Sequence, residues 1–242
     1  MTESDSSAPS ASLAAVIGAG GGLGSALLAR LRDGNVHARV LALGRKADIP
    51  IDYFDEASIA RAAQDVASAC AEAGAELRLL LVASGFLHGE AGQPERSWSQ
   101  LDARYLQQVF TVNALGPALV IKHFFPLLPK SGRCVAGFVS AKVGSIGDNA
   151  LGGWSGYRAS KAALNQLVKT AAIESTRRNR ESVCVALHPG TVDTPLSQPF
   201  AKAGLQLRSA DEAAGELLTV LEQLTPSGTG CLVDYRGHTL PF

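Results

Sequence analysis

An excess of one charge, clustered sulfur and long apolar runs are all missing from this sequence, and each absence closes a class of function. Lysine plus arginine and aspartate plus glutamate each number 22, so the 242 residues carry no formal net charge. Nothing in that balance points to nucleic acid, a polyanion or an anionic membrane surface. The four cysteines, Cys70, Cys134, Cys184 and Cys231, are scattered and form no C-x-x-C pair. They read as reduced thiols rather than as disulfides or a metal site. No run approaches the ~18 apolar residues of a membrane-spanning helix. Residues 1–12, MTESDSSAPSAS, lack both a basic start and an apolar stretch, and read as a loose tail rather than a signal peptide. A cytoplasmic, reducing location is expected, with neither nucleic acid nor membrane as partner.

What is present is a regular alternation. Hydrophobic residues make up 46% of the chain, enough for a sizeable core. LAAVI (13–17) runs into GAGGGLGSALLARL, a strand, a glycine turn and a helix in sequence. Gly18, Gly22 and Gly24 are spaced G-x-x-x-G-x-G, which lets the backbone approach a pyrophosphate at a helix amino terminus. The apolar run ARVLALGRK (38–46) follows. About ~20 positions past the glycines, a carboxylate would hold the ribose hydroxyls of NAD. Here Gly44, Arg45 and Lys46 stand instead, and the next carboxylate is Asp48. A guanidinium there suits a 2′-phosphate, hence NADP(H) in preference to NAD(H), unless Arg45 merely ends a loop.

Further on, IPID (49–52) predicts a brief third strand with Asp52 beside the adenine. Residues 55–74 predict a crossover helix, and LRLLLVASG (77–85) a buried strand whose Ser84-Gly85 end lies near the cofactor. His88 sits in a loop, as a substrate contact or a solvated side chain. A long helix is expected over 99–127, interrupted near Gly116-Pro117, with Asn113 inside it as a structural hydrogen-bonder or a distortion that holds water. SVCVALHPG (182–190) reads as a strand, the Pro-rich 191–206 as a lid, and 209–224 as an amphipathic helix capped by Ser209. A last strand lies in GCLVDYRGHTLPF. Strand and helix alternating throughout predict a doubly wound parallel sheet, a three-layer α/β/α Rossmann fold, as one domain over 13–242.

The chemistry concentrates in SAKVGSIGDNALGGWSGYRASK (140–161). Tyr157 and Lys161 are four apart at the start of a predicted helix, so they share a face. A neighbouring ammonium would lower the pKa of the phenol from its usual ~10. Ser140 ends the strand CVAGFVS, where open α/β sheets bind ligands. Together the three could polarise a carbonyl oxygen and supply its proton.

With Gly18-x-x-x-Gly22-x-Gly24, Asn113, Ser140, Tyr157-x-x-x-Lys161 and Pro189-Gly190 in this order, the sequence resembles the short-chain dehydrogenase/reductase family. LGGWSGYRASKAALNQ and DYRGHTLPF are most similar to its C-factor-like branch, founded on a cell–cell signalling protein. The resemblance implies that Tyr157 is the acid/base, Ser140 orients the substrate, Lys161 tunes the tyrosine and holds the nicotinamide ribose, and Asn113 anchors a water. It also implies that Gly18, Gly22, Leu23 and Gly24 line the pyrophosphate and that Pro189, Gly190, Thr191 and Thr194 belong to a segment closing over the nicotinamide. A homodimer or homotetramer is a further implication. Two departures stand out: Ile17 replaces a threonine, and Val82-Ala83-Ser84-Gly85 replaces Asn-Asn-Ala-Gly. They leave open a signalling or scaffold protein that binds NAD(P) with little turnover.

Overall fold

The computed structural model of the chain describes residues 11–200 and 207–242. Residues 1–10 of the expected tail and 201–206 of the expected lid lie outside them. Strand β1 (Ala11–Ile17) starts two residues earlier than anticipated and leads into α1 (Gly22–Asp33) and β2 (Arg39–Leu43). Helix α2 (Glu56–Ala73) returns the chain to β3 (Ala75–Val82). The rest alternates through α3 (Ala103–Phe110), α4 (Gly116–Phe124), β4 (Cys134–Val139), α5 (Ser155–Arg178), β5 (Ser182–His188), α6 (Ala210–Gln223), β6 (Leu232–Asp234) and β7 (Thr239–Leu240).

The strands form one sheet in the order β2-β1-β3-β4-β5-β6-β7, parallel except for β7 against β6. Side chains alternate along β1, which faces two cores. Leu13, Ala15 and Ile17 pack with α2, α4 and α5, while Ala14 and Val16 pack with α1 and α6. Both faces are therefore covered, as in a doubly wound three-layer fold. The chain turns to opposite sides of β1 for β2 and β3, so the switch point lies at the carboxyl ends of β1 and β3, where such sheets bind ligands.

Several elements differ from the sequence expectation. The IPID strand reduces to a single bridge, Ile49 to Leu43, because the chain must leave the sheet edge at once to start α2. That helix is capped by the Asp55 side chain, which accepts the Ala57 amide. The closing segment makes two strands, β6 and β7, since Gly237 at φ 85° permits a tight reversal. The long helix breaks earlier than Gly116-Pro117, through a π turn at Thr111–Leu115 in which the Gly116 amide donates to the Thr111 carbonyl five residues back. Pro117 explains the shift: it has no amide to offer the Asn113 carbonyl four residues before it. By length and composition, Ala103–Leu127 suffices to cross a membrane, yet Val109, Val120 and Phe124 are buried within this fold. The expected cap of α6 is present as a full box, Ser209 with Glu212.

Glycine packing locks the switch point. A Cβ on Gly24 would lie 2.1 Å from the Gly18 carbonyl oxygen, whereas a Cβ on Gly20 would meet nothing within 4 Å. Gly24→Ala is expected to cost about 2 kcal/mol or more, because the obstacle is backbone. Gly20→Ala is expected to stay within about 0.5 kcal/mol. Thermal melting of the two variants side by side checks this.

Candidate active site

The glycine turn forms one wall. Gly18 follows β1 at φ 85°, and the Gly18 and Ala19 amides donate to the Leu43 carbonyl at 2.9 and 3.1 Å. A side chain on Gly18 would strike the Ala83-Ser84 backbone, 2.7 Å from the Ser84 amide nitrogen. Helix α1 begins after Gly21 with no side-chain cap, which leaves amides of its first turn for an anion. The Leu23 side chain is spent on the core, so only its backbone belongs to this wall. The uncapped amides, on a turn packed too tightly to carry side chains at Gly18 and Gly24, fit the pyrophosphate of a dinucleotide. The segment after β5 closes on the same turn: a Cβ on Gly22 would lie 2.6 Å from the Thr194 methyl. Gly190 stands at φ 76° beneath the Tyr235 ring. The Thr191 carbonyl accepts from the Arg208 amide at 3.0 Å, which ties the Pro189–Thr194 stretch to the start of α6.

On the adenosine side, Gly44 packs toward Ala19 and Gly20, which brings the exposed Arg45 beside the turn. The neighbouring Asp48 carboxylate faces Arg32 at 3.8 Å. Exposed Asp52 accepts the Phe54 amide at 3.0 Å in a local turn, so part of its capacity is already used. Ser84 hydrogen-bonds Tyr53 at 2.7 Å. No local pattern announced that tie, which links the loop before α2 to the end of β3 where the two asparagines are lacking.

The four chemical residues meet at the carboxyl ends of β3 and β4. Asn113 is fully buried; its Oδ1 accepts the Phe86 amide and its Nδ2 donates to the Phe86 carbonyl, both at 2.8 Å. Nδ2 also donates to Ser160 Oγ at 3.1 Å. Of the two sequence alternatives the structural hydrogen-bonder holds, and it sits inside a distorted turn. Lys161 Nζ donates to the Val139 carbonyl at 2.8 Å and lies 5.8 Å from the centre of the Tyr157 ring. A Cβ on Gly85 would lie 3.8 Å from Asn113 Oδ1 and 3.9 Å from Lys161 Nζ, so Ser84-Gly85 borders the same space. Ser140 Oγ donates to Asn165 Oδ1 at 2.6 Å.

Burial governs the protonation states. It pushes the Tyr157 phenol up to about 12 and draws the Lys161 ammonium down to about 7. The expectation that the ammonium by itself lowers the phenol is thus corrected: desolvation dominates at Tyr157 in the protein alone. His188, next to Pro189, is drawn down to about 4, first by burial.

An aromatic wall stands over Tyr157. Trp154 is edge-on to Tyr157 at 6.2 Å and to Phe200 at 5.1 Å, and His88 is edge-on to Phe200 at 5.4 Å. His88 Nε2 lies 3.0 Å from the Pro195 carbonyl, so this loop histidine braces the lid segment. Glu95, also missed by sequence, is buried at the amino end of α5. Its carboxylate accepts the Gly156 amide at 3.2 Å and its carbonyl the Trp154 amide at 2.6 Å. It caps the helix that carries Tyr157; no local pattern announced it, because cap and helix are sixty residues apart.

A family model described as short chain dehydrogenase matches residues 12–204. An uncharacterized oxidoreductase of Schizosaccharomyces pombe is 30% identical over 212 residues, 80% of this chain and 77% of that protein. The C-signal protein of Myxococcus xanthus is 34% identical over 142 residues, 59% of this chain and 81% of its own length. Among solved structures, the NADPH-bound carbonyl reductase from chicken fatty liver superposes with a TM-score of 0.81 at 25% identity, covering 97% of this chain and 99% of that one. With this match over most of its length and this fold beneath it, the chain belongs to the short-chain dehydrogenase/reductase family and is an NAD(P)-dependent oxidoreductase.

Proposed function

We propose that the chain interconverts a carbonyl and an alcohol with NADP(H), using Tyr157, Ser140, Lys161 and Asn113 within one catalytic domain over 13–242. The observation that carries this reading is buried Lys161, which borders Gly85 together with Asn113, bonds the Val139 carbonyl next to Ser140 and lies 5.8 Å from the Tyr157 ring. A dinucleotide whose pyrophosphate is held by the glycine turn would supply or accept the hydride through its nicotinamide. Tyr157 gives the proton to the developing alkoxide, and Ser140 meets the same oxygen. Lys161, drawn toward neutrality, takes up or releases a proton readily at Nζ, and when charged it favours the phenolate. Asn113 sits in the π turn that Pro117 distorts, a place for a relaying water.

NADP(H) is favoured by Arg45, which among the described residues makes no ion pair, and by Asp48 being turned to Arg32. The aromatic wall of Trp154, Phe200 and Phe86 favours an apolar carbonyl. We further propose a cytoplasmic location and a homodimer or homotetramer that pairs the helices around 99–127 and 157–176, where Leu115 and Ile173 are each about half exposed. A second reading, a C-factor-like signalling or scaffold protein with little turnover, draws on the identity with C-signal. A phenotype unchanged by Tyr157→Phe would favour it.

NADP+ at a hundredfold excess over its Kd is expected to raise the Tm by roughly 5 °C or more, NAD+ by clearly less, and Arg45→Ala is expected to erase the difference. Tyr157→Phe is expected to lower NADPH oxidation with aldehydes and ketones at least ~100-fold; undiminished turnover would remove this tyrosine from the mechanism.

Lys161 also sets a pH dependence in the dinucleotide-free chain. Its folded pKa, about 7, lies below the unfolded ~10.4. Below pH 7 the buried charge carries its full penalty, and stability from this group rises between those values as the folded state sheds the proton first. Lys161→Met is therefore expected to raise the Tm more at pH 6 than at pH 9, a contrast that melting at the two pH values reads directly.

A further inference from the structure

We propose that Asn165 is a positioning residue for Ser140, its amide fixing the direction in which the serine hydroxyl points. The inference rests on the reading that Ser140 meets the substrate oxygen. Asn165 lies one helical turn beyond Lys161 on α5, on the face that Leu164 and Val168 bury against the sheet. Its Oδ1 accepts the Ser140 hydroxyl at 2.6 Å, and both residues are almost wholly buried. Its Nδ2 is buried with no protein partner among the described residues. An asparagine that leaves half its amide unsatisfied is a costly choice for packing a helix on a sheet. Its one side-chain hydrogen bond goes to Ser140.

That bond decides what Ser140 presents. The serine backbone is already fixed, since its amide donates to the Leu187 carbonyl at 2.7 Å. Only the side-chain rotor remains free, and a hydroxyl has one proton and two lone pairs. With the proton committed to Asn165, the site side receives lone pairs. A substrate alcohol, which donates, finds an acceptor in place. A developing alkoxide, which accepts, takes that proton from a hydroxyl already held in a fixed direction, whereas a serine freed from Asn165 would first have to be ordered. The amide therefore sets the starting geometry from which Ser140 acts, without touching substrate.

The test is a double-mutant cycle on the full chain, with NADPH and a carbonyl that the wild type reduces. Asn165→Leu, similar in volume but unable to hydrogen-bond, is expected to lower kcat about tenfold, with the KM for NADPH unchanged. In a Ser140→Ala background the same substitution is expected to cost less than about twofold, because the group it acts through is gone. Asn165→Ala, which adds no atoms to a packed face, runs the same cycle if the leucine variant does not fold. Losses that multiply independently in both backgrounds would overturn the proposal while leaving the hydride-transfer reading intact. A wild type that turns over no carbonyl would sink that reading and this inference together.

Discussion

Lys161 carries its ammonium into the interior and lays it 2.8 Å from the Val139 carbonyl, the last residue of β4. That contact joins the helix bearing the phenol to the strand that ends one residue before Ser140. Because Tyr157 sits one turn earlier on the same helix face, this hydrogen bond brings together the backbones that carry all three side chains. The interior that enforces this geometry also opposes charge. It draws the ammonium down and pushes the phenol up, so the pair is poised near neutral protonation states at the cost of stability.

The rest of the architecture brings a second wall to that pair. Gly18 and Gly24 let the first βα turn fold onto itself and against the Ala83-Ser84 backbone. The turn at Gly44 lies beside Ala19 and Gly20 of that βα turn, and Thr194 packs on its Gly22. Asn113, through the π turn, clamps the Phe86 backbone and so keeps Ser84-Gly85 against Lys161. This second wall is thus largely backbone, a rigid material for holding the proposed reacting groups at fixed separations.

Much of this was legible in one dimension. The glycine spacing, the Tyr-x-x-x-Lys pair and the apolar runs express themselves within a few residues, through periods of 2 and 3.6 that any reader of the chain can follow. The brief third strand failed because pairing at a sheet edge depends on where the chain must go next. The position of the helix break was displaced for a similar reason: the proline acts on the turn before it.

Other features belong to partners far apart in the chain. Glu95 capping the Tyr157 helix, Tyr53 bonded to Ser84, and Asn165 holding Ser140 each join residues between 25 and 61 positions apart. Desolvation of Lys161 and Tyr157 is likewise a property of the packed interior. By itself the sequence determined the alternating layers, the glycine turn and the candidate groups of the site, since local periodicity and backbone freedom are written residue by residue. Which side chains brace those groups, and what protonation states they hold, only the tertiary structure decided, because burial and long-range hydrogen bonds come into being when distant segments pack.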